Sequence, residues 1–338
     1  MGAIETSSNA TLQGMNTMGV AVRARRLVTV KQLDAMERAL DQVAADAPLL
    51  VLGGGSNILF RQDFDGTVLH IADQEIDVSP GNGGDLVTVA AGAEWDGFVR
   101  WSLAQGYAGL ENLILIPGSV GAAPIQNIGA YGREVSEFIE AVDVIDRATR
   151  ERRRLSPAEC EFGYRDSIFK RERDRYIVIR VIFRLPRQHP LRTDYAGVQQ
   201  WLDDHDIDDP RPADVAQAVE SLRRSKLPDP ADIGNTGSFF KNPIVSSSKA
   251  EAVRAAFPDA PVFPLDDEHA KLSAGWMIEH CGLKGTREGD AGFSAKHALV
   301  LVNHGEASGE QLWSMAQRAI DAVEGTFGIR LEPEPLVL

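Results

Sequence analysis

The sequence predicts a mixed fold of short α and β elements divided into two or three domains, and three observations lead to this. The chain has 338 residues, 43% of them hydrophobic and 25% charged, which is enough to build more than one core. Apolar residues at helical spacing alternate along the chain with short β-branched runs. A proline-rich break, Pro228-Asp229-Pro230, indicates a domain linker near residue 228.

The first elements follow from spacing and from turn residues. Leu33, Met36, Leu40 and Val43 recur at intervals of three and four, which predicts a helix that ends near Pro48. The apolar run Leu49–Leu52 comes directly afterwards and predicts a buried strand. Further along the chain, the turn-forming residues of segment 79–85 predict a turn.

Two further strands and two further helices complete the outline. The β-branched and aromatic runs Val87–Ala90 and Tyr176–Arg184 predict strands. A helix over Ala213–Lys226 should stop before the linker. Near the C-terminus, Ser308 with Gln311 three positions later is typical of a capping box, and we expect a long amphipathic helix after it.

Composition excludes several classes of protein. No apolar run approaches the roughly 18 residues of a membrane span, and the polar opening residues argue against secretion. The two cysteines, Cys160 and Cys281, have neither disulfide-framework nor metal-site spacing, so we expect a cytoplasmic protein without a metal. The net charge of −14 argues against binding to nucleic acid or to anionic lipid.

The segment 49–57 runs from a strand into three glycines, Gly53, Gly54 and Gly55, followed by Ser56 and Asn57. Successive backbone N–H groups without Cβ atoms can approach a pyrophosphate closely. The segment lacks both the Lys-Ser/Thr of a P-loop and the G-x-G-x-x-G of a Rossmann fingerprint. A tight structural turn is the alternative interpretation.

A second stretch, residues 116–132, combines small residues with amide side chains. Such a run favours close backbone contact with a flat ligand. The alternative is a core loop in which Gln126 and Asn127 only satisfy buried backbone groups, which is what buried amides usually do. The residues themselves leave both open.

Six more strings decide the family resemblance, and they occur from one end of the chain to the other. They are segments 16–19, 163–170, 234–243, 273–279, 298–303 and 331–335. Together with the two glycine-rich stretches they resemble the UDP-N-acetylenolpyruvoylglucosamine reductase family. Several of these strings are too long for chance similarity.

The resemblance implies a fold and an activity. Members of the family reduce the enolpyruvyl ether of UDP-N-acetylglucosamine to UDP-N-acetylmuramate in peptidoglycan precursor synthesis, using non-covalent FAD that NADPH reduces. The resemblance implies an FAD-binding fold of the vanillyl-alcohol oxidase-like type over residues 1–227, split into two subdomains near residue 75 and completed by 328–338. A separate α+β substrate-binding domain is expected over residues 228–327. No protein partner is indicated.

By matching motifs, the flavin contacts should come from both glycine-rich stretches. The expected contacts are Gly53, Gly54, Gly55, Ser56, Asn57, Pro117, Gly118, Ser119, Gly121, Ala122, Gln126, Asn127, Gly129, Ala130 and Tyr131.

The resemblance also implies three catalytic residues. Arg165 would hold the substrate carboxylate while negative charge builds on it, and Glu334 would assist as a protonated acid. Ser238 would donate a proton to the carbanionic carbon. The alternatives are an Arg165–Asp166 ion pair, a solvated terminal carboxylate and a turn hydroxyl. Because the chain stops soon after Glu334, Glu332 is a second candidate for the acid.

For the diphosphate of the UDP-sugar and the phosphates of NADPH, the matching positions are Tyr195, Lys226 and Asn242, with His297 as a weaker candidate. An acidic chain needs such groups locally to hold an anion. Tyr195 lies in what resembles the substrate loop of one branch of the family.

Two competing functions stay open. One is another flavin oxidoreductase of the same fold that acts on a sugar or alcohol, which would explain the glycine-rich stretches but not the set Arg165, Ser238 and Glu334. The other is a flavin or nucleotide-sugar binding protein without catalytic activity.

Overall fold

The structure is a computed structural model that describes residues 2–43, 48–195 and 197–338. The chain forms two compact units. The first comprises Met1–Ala10, Ala24–Gly54 and Asp65–Arg223, and the second comprises Thr11–Arg23, Gly55–Phe64 and Arg224–Leu338. The chain therefore passes between the units more than once. The domain limits inferred from the family resemblance remain a prediction.

The first unit is built on two larger sheets. The four-stranded sheet has the order Ile4–Thr11 (β1), Arg23–Val30 (β2), Phe64–Ile71 (β5), Leu49–Leu52 (β3). The five-stranded sheet has the order Arg152–Leu155 (β11), Ile139–Asp146 (β10), Tyr176–Leu185 (β12), Asp85–Ala90 (β7), Ile76–Ser79 (β6). A short pair consists of Gly129–Ala130 (β8) and Arg133–Glu134 (β9).

The five-stranded sheet forms the main core of this unit. All its pairings are antiparallel, and β12 lies at its centre between β10 and β7. Eight of the ten residues of β12 are buried, which explains why the run is apolar on both faces. The predictions of strands at Tyr176–Arg184 and Val87–Ala90 are confirmed.

The second unit contains four-stranded and three-stranded antiparallel sheets. The first has the order Gly234–Asn235 (β13), Leu301–Asn303 (β19), Ala291–Phe293 (β18), Arg287–Glu288 (β17). The second has the order Ile244–Ser246 (β14), His269–Leu272 (β16), Val262–Pro264 (β15). The C-terminal strand Leu336–Val337 (β20) pairs in parallel with Ile58–Leu59 (β4).

The helices are mostly short. They are Met36–Leu40 (α1), Trp95–Ala104 (α2), Pro157–Cys160 (α3), Ile168–Arg171 (α4), Val198–Asp203 (α5), Pro212–Lys226 (α6), Ser247–Ala256 (α7), Ala274–His280 (α8) and Gly309–Phe327 (α9). In α9 the hydroxyl of Ser308 accepts from the Gln311 N–H, and the Gln311 side chain accepts from the Ser308 N–H. The predicted capping box is confirmed, as is the helix before the linker.

Two local predictions are wrong. The helix expected to reach Pro48 ends at Leu40, although Leu33, Met36 and Leu40 are buried as their spacing indicated. Val43 lies in a bend, and residues 44–47 are outside the described residues. Strand β3 exists, but it is an edge strand whose Val51 is 38% exposed, so it is not buried.

In the described part of the chain, no helix is both long enough and apolar enough to cross a membrane. The same residues contain no group of three or more His, Cys, Asp and Glu that could hold a metal ion.

Candidate active site

The two glycine-rich segments lie against each other in the first unit. A Cβ atom on Gly53 would come within 2.2 Å of the Ser119 hydroxyl oxygen, and one on Gly54 would come within 3.0 Å of the Gly118 Cα. A side chain at Gly53 would therefore displace the Ser119 hydroxyl, and one at Gly54 would press on the backbone of Gly118. The structure therefore brings together two stretches that are more than sixty residues apart in sequence.

Gly55 begins the part of this segment that belongs to the second unit. Its φ is +62°, and a Cβ there would lie 2.0 Å from the carbonyl oxygen of Met15. Two residues later, the carbonyl of Asn57 accepts from the Leu336 N–H at 3.0 Å, and the Asn57 amide donates to the Glu334 carbonyl at 3.5 Å. The end of the glycine-rich segment is thus attached to the C-terminal strand.

The second stretch has an unusual backbone. Leu115, Asn127 and Tyr131 all have positive φ values, between 45° and 60°. Left-handed conformations in residues other than glycine are costly, and they cluster at functional sites. The Asn127 side chain is saturated by protein groups, since it donates to Glu134 and to the Gly163 carbonyl and accepts from the Ser136 N–H. A contact of Asn127 with a cofactor would therefore have to use its backbone.

Arg165 sits in a tight turn of the first unit. Gly163 and Asp166 pair through two backbone hydrogen bonds, so Tyr164 and Arg165 form the two-residue tip of the turn. The φ of Arg165 is +54°, and its guanidinium donates to the Gly129 carbonyl at 2.6 Å. The Asp166 carboxylate forms a salt bridge with Arg171.

Hydrogen bonds attach this turn to the second glycine-rich stretch. In addition to the Arg165–Gly129 bond, the Ser167 hydroxyl donates to the Ile125 carbonyl at 2.6 Å, and Asn127 donates to the Gly163 carbonyl at 3.1 Å. The candidate catalytic arginine and the candidate flavin segment thus form one bonded assembly.

A second arginine beside this assembly was not predicted from the sequence. The Nε of Arg223, on α6, is buried and has no hydrogen-bond partner among the described residues. Burial lowers the pKa of Arg223, Tyr131 and Asp96 act in the opposite direction, and the nearby Arg165 lowers it further. Because the buried Nε has no acceptor among the described residues, this position favours an anionic or strongly hydrogen-bond-accepting ligand. Its burial, which only the tertiary structure reveals, is what distinguishes it from the exposed Arg224.

Tyr131 and Tyr195 meet edge to face, with ring centroids 5.3 Å apart and an interplanar angle of 63°. Tyr195 is 51% exposed, whereas Tyr131 is half-buried, and burial raises the pKa of Tyr131. The candidate flavin segment and the candidate substrate loop are therefore in direct contact within the first unit.

In the second unit, backbone pairing joins the segment that follows Ser238 to the segment that contains Glu334. Phe240 forms a bridge with Pro333, the Glu334 N–H donates to the Phe239 carbonyl at 2.9 Å, and the Lys241 N–H donates to the Glu332 carbonyl. In this register Ser238 is one residue from the partner of Glu334. Both are half-buried, and Gly237, with φ +70°, turns the chain immediately before Ser238.

The second candidate acid, Glu332, lies two residues before Glu334 and is more exposed. Its side chain is 73% exposed and forms a salt bridge with Lys241 at 3.0 Å. Glu334 is the less exposed of the two glutamates.

The remaining diphosphate candidates belong to the second unit. The Asn242 oxygen accepts from the Ala274 N–H at 3.0 Å, which leaves its NH₂ group as the part suited to an anion. His297 Nδ1 accepts from the Leu299 N–H at 3.2 Å, so in the neutral ring the proton is on Nε2. Burial lowers the pKa of His297, Lys226 and Lys284 lower it further, and Glu279 opposes them. Lys226 therefore lies close enough to His297 to disfavour its protonation.

Comparison with known proteins gives the family. A family model described as FAD binding domain matches residues 24–156. One described as UDP-N-acetylenolpyruvoylglucosamine reductase, C-terminal domain, matches residues 229–338. The chain is 50% identical over 334 residues to the UDP-N-acetylenolpyruvoylglucosamine reductase of Xanthomonas campestris pv. campestris (strain 8004), covering 98% of this chain and 95% of that protein. This chain belongs to the UDP-N-acetylenolpyruvoylglucosamine reductase family.

Other relatives agree with this family assignment. The reductase of the same name from Pseudomonas aeruginosa is 46% identical over 335 residues, covering 98% of this chain and 99% of that protein. The crystal structure of the Thermus caldophilus reductase superposes with a TM-score of 0.68 at 27% identity, covering 99% of this chain and 98% of that one. The predicted family and the predicted α+β fold with an FAD-binding domain are confirmed for this reductase family member. The roles of its individual residues remain predictions.

Proposed function

We propose that this chain is a cytoplasmic, FAD-dependent reductase that uses NADPH to convert UDP-N-acetylglucosamine enolpyruvate into UDP-N-acetylmuramate during peptidoglycan precursor synthesis. The observation that carries the proposal is the backbone register of Phe240 with Pro333, in which Ser238 directly precedes the residue whose carbonyl accepts from the Glu334 N–H. This reaction needs a proton donor for the carbanionic carbon and an acid beside the substrate carboxylate, and both act on the same enolpyruvyl group. A passive flavin-binding protein has no need of that pair.

The residues of the first unit suit FAD. Gly53, Gly54 and Gly118 leave backbone uncovered by Cβ atoms, and the orphaned Nε of Arg223 calls for an acceptor. The FAD-binding family model over residues 24–156 supports the same assignment. FAD, when bound and reduced by NADPH, would supply the hydride that adds to the methylene carbon of the enolpyruvyl group.

Addition of a hydride leaves negative charge on the neighbouring carbon, which is shared with the substrate carboxylate. Arg165 would hold that carboxylate through a planar guanidinium. Its donation to the Gly129 carbonyl fixes the side chain, so little reorganisation is needed when charge develops. Glu334, if protonated, would donate a second hydrogen bond to the same group.

Ser238 would then transfer its hydroxyl proton to the carbanionic carbon, which completes net addition of two hydrogens across the double bond. A serine hydroxyl is a weak acid, so its position must compensate for its pKa. The positive φ of Gly237 and the strand pairing after it are what fix that position.

By their match to the family motifs, the groups that would hold the diphosphate are Tyr195, Lys226, Asn242 and His297. Lys226 supplies charge, while the other three supply hydrogen-bond donors. NADPH, which also carries a diphosphate, would use the same groups before the substrate does.

Anaerobic half-reactions test the proposal. The purified protein should be yellow, NADPH should bleach the flavin, and UDP-N-acetylglucosamine enolpyruvate should restore its colour. An oxidase of the same fold would be reoxidised by oxygen but not by this substrate. A passive binder would not be bleached by NADPH, and either result would overturn the proposal.

Ser238→Ala sharpens the test. We expect normal bleaching by NADPH and a loss of reoxidation of about 100-fold or more, since the proton is needed only in the second half-reaction. Ser314→Ala, on the exposed face of α9, is the matched control and should behave as wild type in both. Equal losses in both half-reactions of Ser238→Ala would remove Ser238 from its proposed role.

A further inference from the structure

Asn112 is a fully buried side chain that joins two distant loops of the first unit. It lies in the short 3-10 turn Glu111–Leu113. One amide nitrogen donates to the carbonyl of Tyr131 at 3.0 Å and to the carbonyl of Arg192 at 2.9 Å. These two carbonyls are 61 positions apart in sequence, and Asn112 is the side chain that bonds to both.

The two loops that it joins carry the two tyrosines already described. Tyr131 belongs to the candidate flavin segment, and Arg192 is three residues before Tyr195. The rings of Tyr131 and Tyr195 are in contact, and a Cβ on Gly132 would lie 4.0 Å from Tyr195 Cδ2. Asn112 thus binds the backbone of Tyr131 itself and the backbone three residues before Tyr195.

The loop around Arg192 depends on such contacts for its conformation. Residues 186–195 form neither helix nor strand, so regular backbone pairing does not hold them. Besides Asn112, the buried guanidinium of Arg133 donates to the Pro190 carbonyl. A loop of this kind adopts one conformation only where side chains from the scaffold bind its carbonyls.

The chemistry of the amide explains why asparagine is needed. Two carbonyl oxygens require two N–H donors on one planar group, and the amide NH₂ supplies both. The amide oxygen is buried without a hydrogen-bond partner among the described residues. The side chain is therefore placed for its donors.

We propose that Asn112 is a positioning residue that holds the Tyr131–Tyr195 pair in place and thereby sets the affinity of the enzyme for the diphosphate of its nucleotide ligands. Asn112 acts through Tyr195 and does not itself touch the ligand. This inference rests on the proposed role of Tyr195 as a diphosphate ligand.

A double-mutant cycle on the full-length, FAD-loaded protein tests the inference, with UDP-N-acetylglucosamine as the titrant in calorimetry. Asn112→Ala should weaken binding about five- to tenfold, the equivalent of about one hydrogen bond at Tyr195. In a Tyr195→Phe background the same change should have no further effect, because residues that act as one unit are not additive. Independent, multiplicative effects, or an unchanged affinity in Asn112→Ala, would overturn the inference.

Hydrogen exchange separates this inference from the proposed function. Asn112→Ala should speed amide exchange in residues 131–133 and 192–195, whatever ligand the protein binds. If exchange speeds up but wild-type protein does not bind the nucleotide sugar, the structural link stands and the proposed function fails. If exchange is unchanged while wild type binds, the link fails and the function stands.

Two further variants control for misfolding of Asn112→Ala and for a general loss of stability. Asn112→Asp keeps the shape of the side chain but loses the paired donors, and it replaces Asn112→Ala in the cycle if the alanine variant does not fold. Ser102→Ala, which loses the buried hydrogen bond from its hydroxyl to the Val99 carbonyl on α2, is the control. It should lower stability without changing affinity or loop exchange, and a matching effect of Ser102→Ala on affinity would show that Asn112 acts only through stability.

Discussion

Arg165 and Glu334 are both candidate catalytic residues, but the chain holds them by different means. Arg165 projects from a two-residue turn with a left-handed backbone, and side chains such as Asn127 and Ser167 fasten that turn to the flavin segment. Glu334 lies in a bend after the isolated bridge residue Pro333, in a segment whose position is set by backbone bonds to Phe239 and Lys241. Arg165 is fixed by side-chain chemistry and Glu334 by backbone register.

The difference determines which mutations should matter around each residue. Where side-chain hydrogen bonds hold the segment that carries the catalytic residue, a single substitution outside the active site can displace that residue. Where backbone hydrogen bonds hold the segment, side-chain substitutions are tolerated, and only changes that disturb the backbone have a large effect. The predictions below probe each arrangement, beginning with the largest expected effect.

Arg165→Met should reduce turnover of the enolpyruvyl substrate about 100- to 1000-fold, because a preorganised donor to the developing charge is lost. Steady-state kcat at saturating substrate is the measurement, with the flavin spectrum as a check on folding. Arg173→Met is the control and should retain full activity, because Arg173 is exposed and, among the described residues, pairs only with the neighbouring Asp174. Turnover of Arg165→Met within tenfold of wild type would show that Arg165 does not stabilise the charge.

Much of the fold follows from local signals in the sequence. Three patterns, each only a few residues long, predict the structure that forms there. They are the capping box at Ser308, the continuous apolar run of β12 and the three glycines at Gly53–Gly55. Family resemblance then supplied the candidate roles of Arg165, Ser238 and Glu334, which no local pattern indicates.

What could not be predicted depends on contacts between distant segments. The register of Phe240 with Pro333 joins positions almost a hundred residues apart, and nothing in either stretch encodes the pairing. Asn112 and Arg223 matter because of their burial, which a sequence without an alignment does not reveal. The end of α1 at Leu40 was missed because apolar spacing continues to Val43 after helical geometry stops.

Gly55→Ala tests the region around Glu334, where backbone bonds fix the chain, and should destabilise it. The new Cβ would lie 2.0 Å from the Met15 carbonyl oxygen, and the φ of +62° is unfavourable for alanine. Strain and overpacking together should lower the free energy of unfolding by about 2 to 4 kcal/mol. Chemical denaturation gives this value, and FAD affinity should fall with it. Gly14→Ala, whose new Cβ would meet no atom of the described part of the chain within 4 Å, should have little effect. Equal stability of the two variants would contradict the steric argument.

Asn127→Ala tests the region around Arg165, where side-chain hydrogen bonds fix the turn, and should loosen that turn. It removes hydrogen bonds to Glu134, Gly163 and Ser136 from a buried position, which should cost about 1 to 3 kcal/mol of stability. Because the Gly163 carbonyl belongs to the turn that carries Arg165, kcat should fall as well. Lys241→Gln is the counterpart beside Glu334, and it breaks only an exposed salt bridge, worth about 1 kcal/mol or less. If Lys241→Gln lowered kcat as much as Asn127→Ala, the distinction between the two regions would be wrong.

His297 combines both arrangements, since a backbone N–H fixes its ring while Lys226 and Lys284 set its charge. Burial and these ammonium groups hold the pKa of His297 below its ordinary 6.5, so the ring is neutral in the unliganded protein near pH 7. A bound diphosphate would stabilise the imidazolium and raise that pKa, and the complex therefore takes up a proton. Affinity for UDP-N-acetylglucosamine, whose diphosphate diester does not titrate near neutral pH, should rise as pH falls through the pKa of the complex. The rise should level off below the lower pKa of the unliganded protein, and it amounts to at most about tenfold per unit of pKa change.

Calorimetric titrations across this range should give a flat pH profile of affinity for His297→Gln and the wild-type profile for His304→Gln. A flat profile in the wild-type protein would mean that the diphosphate does not approach His297.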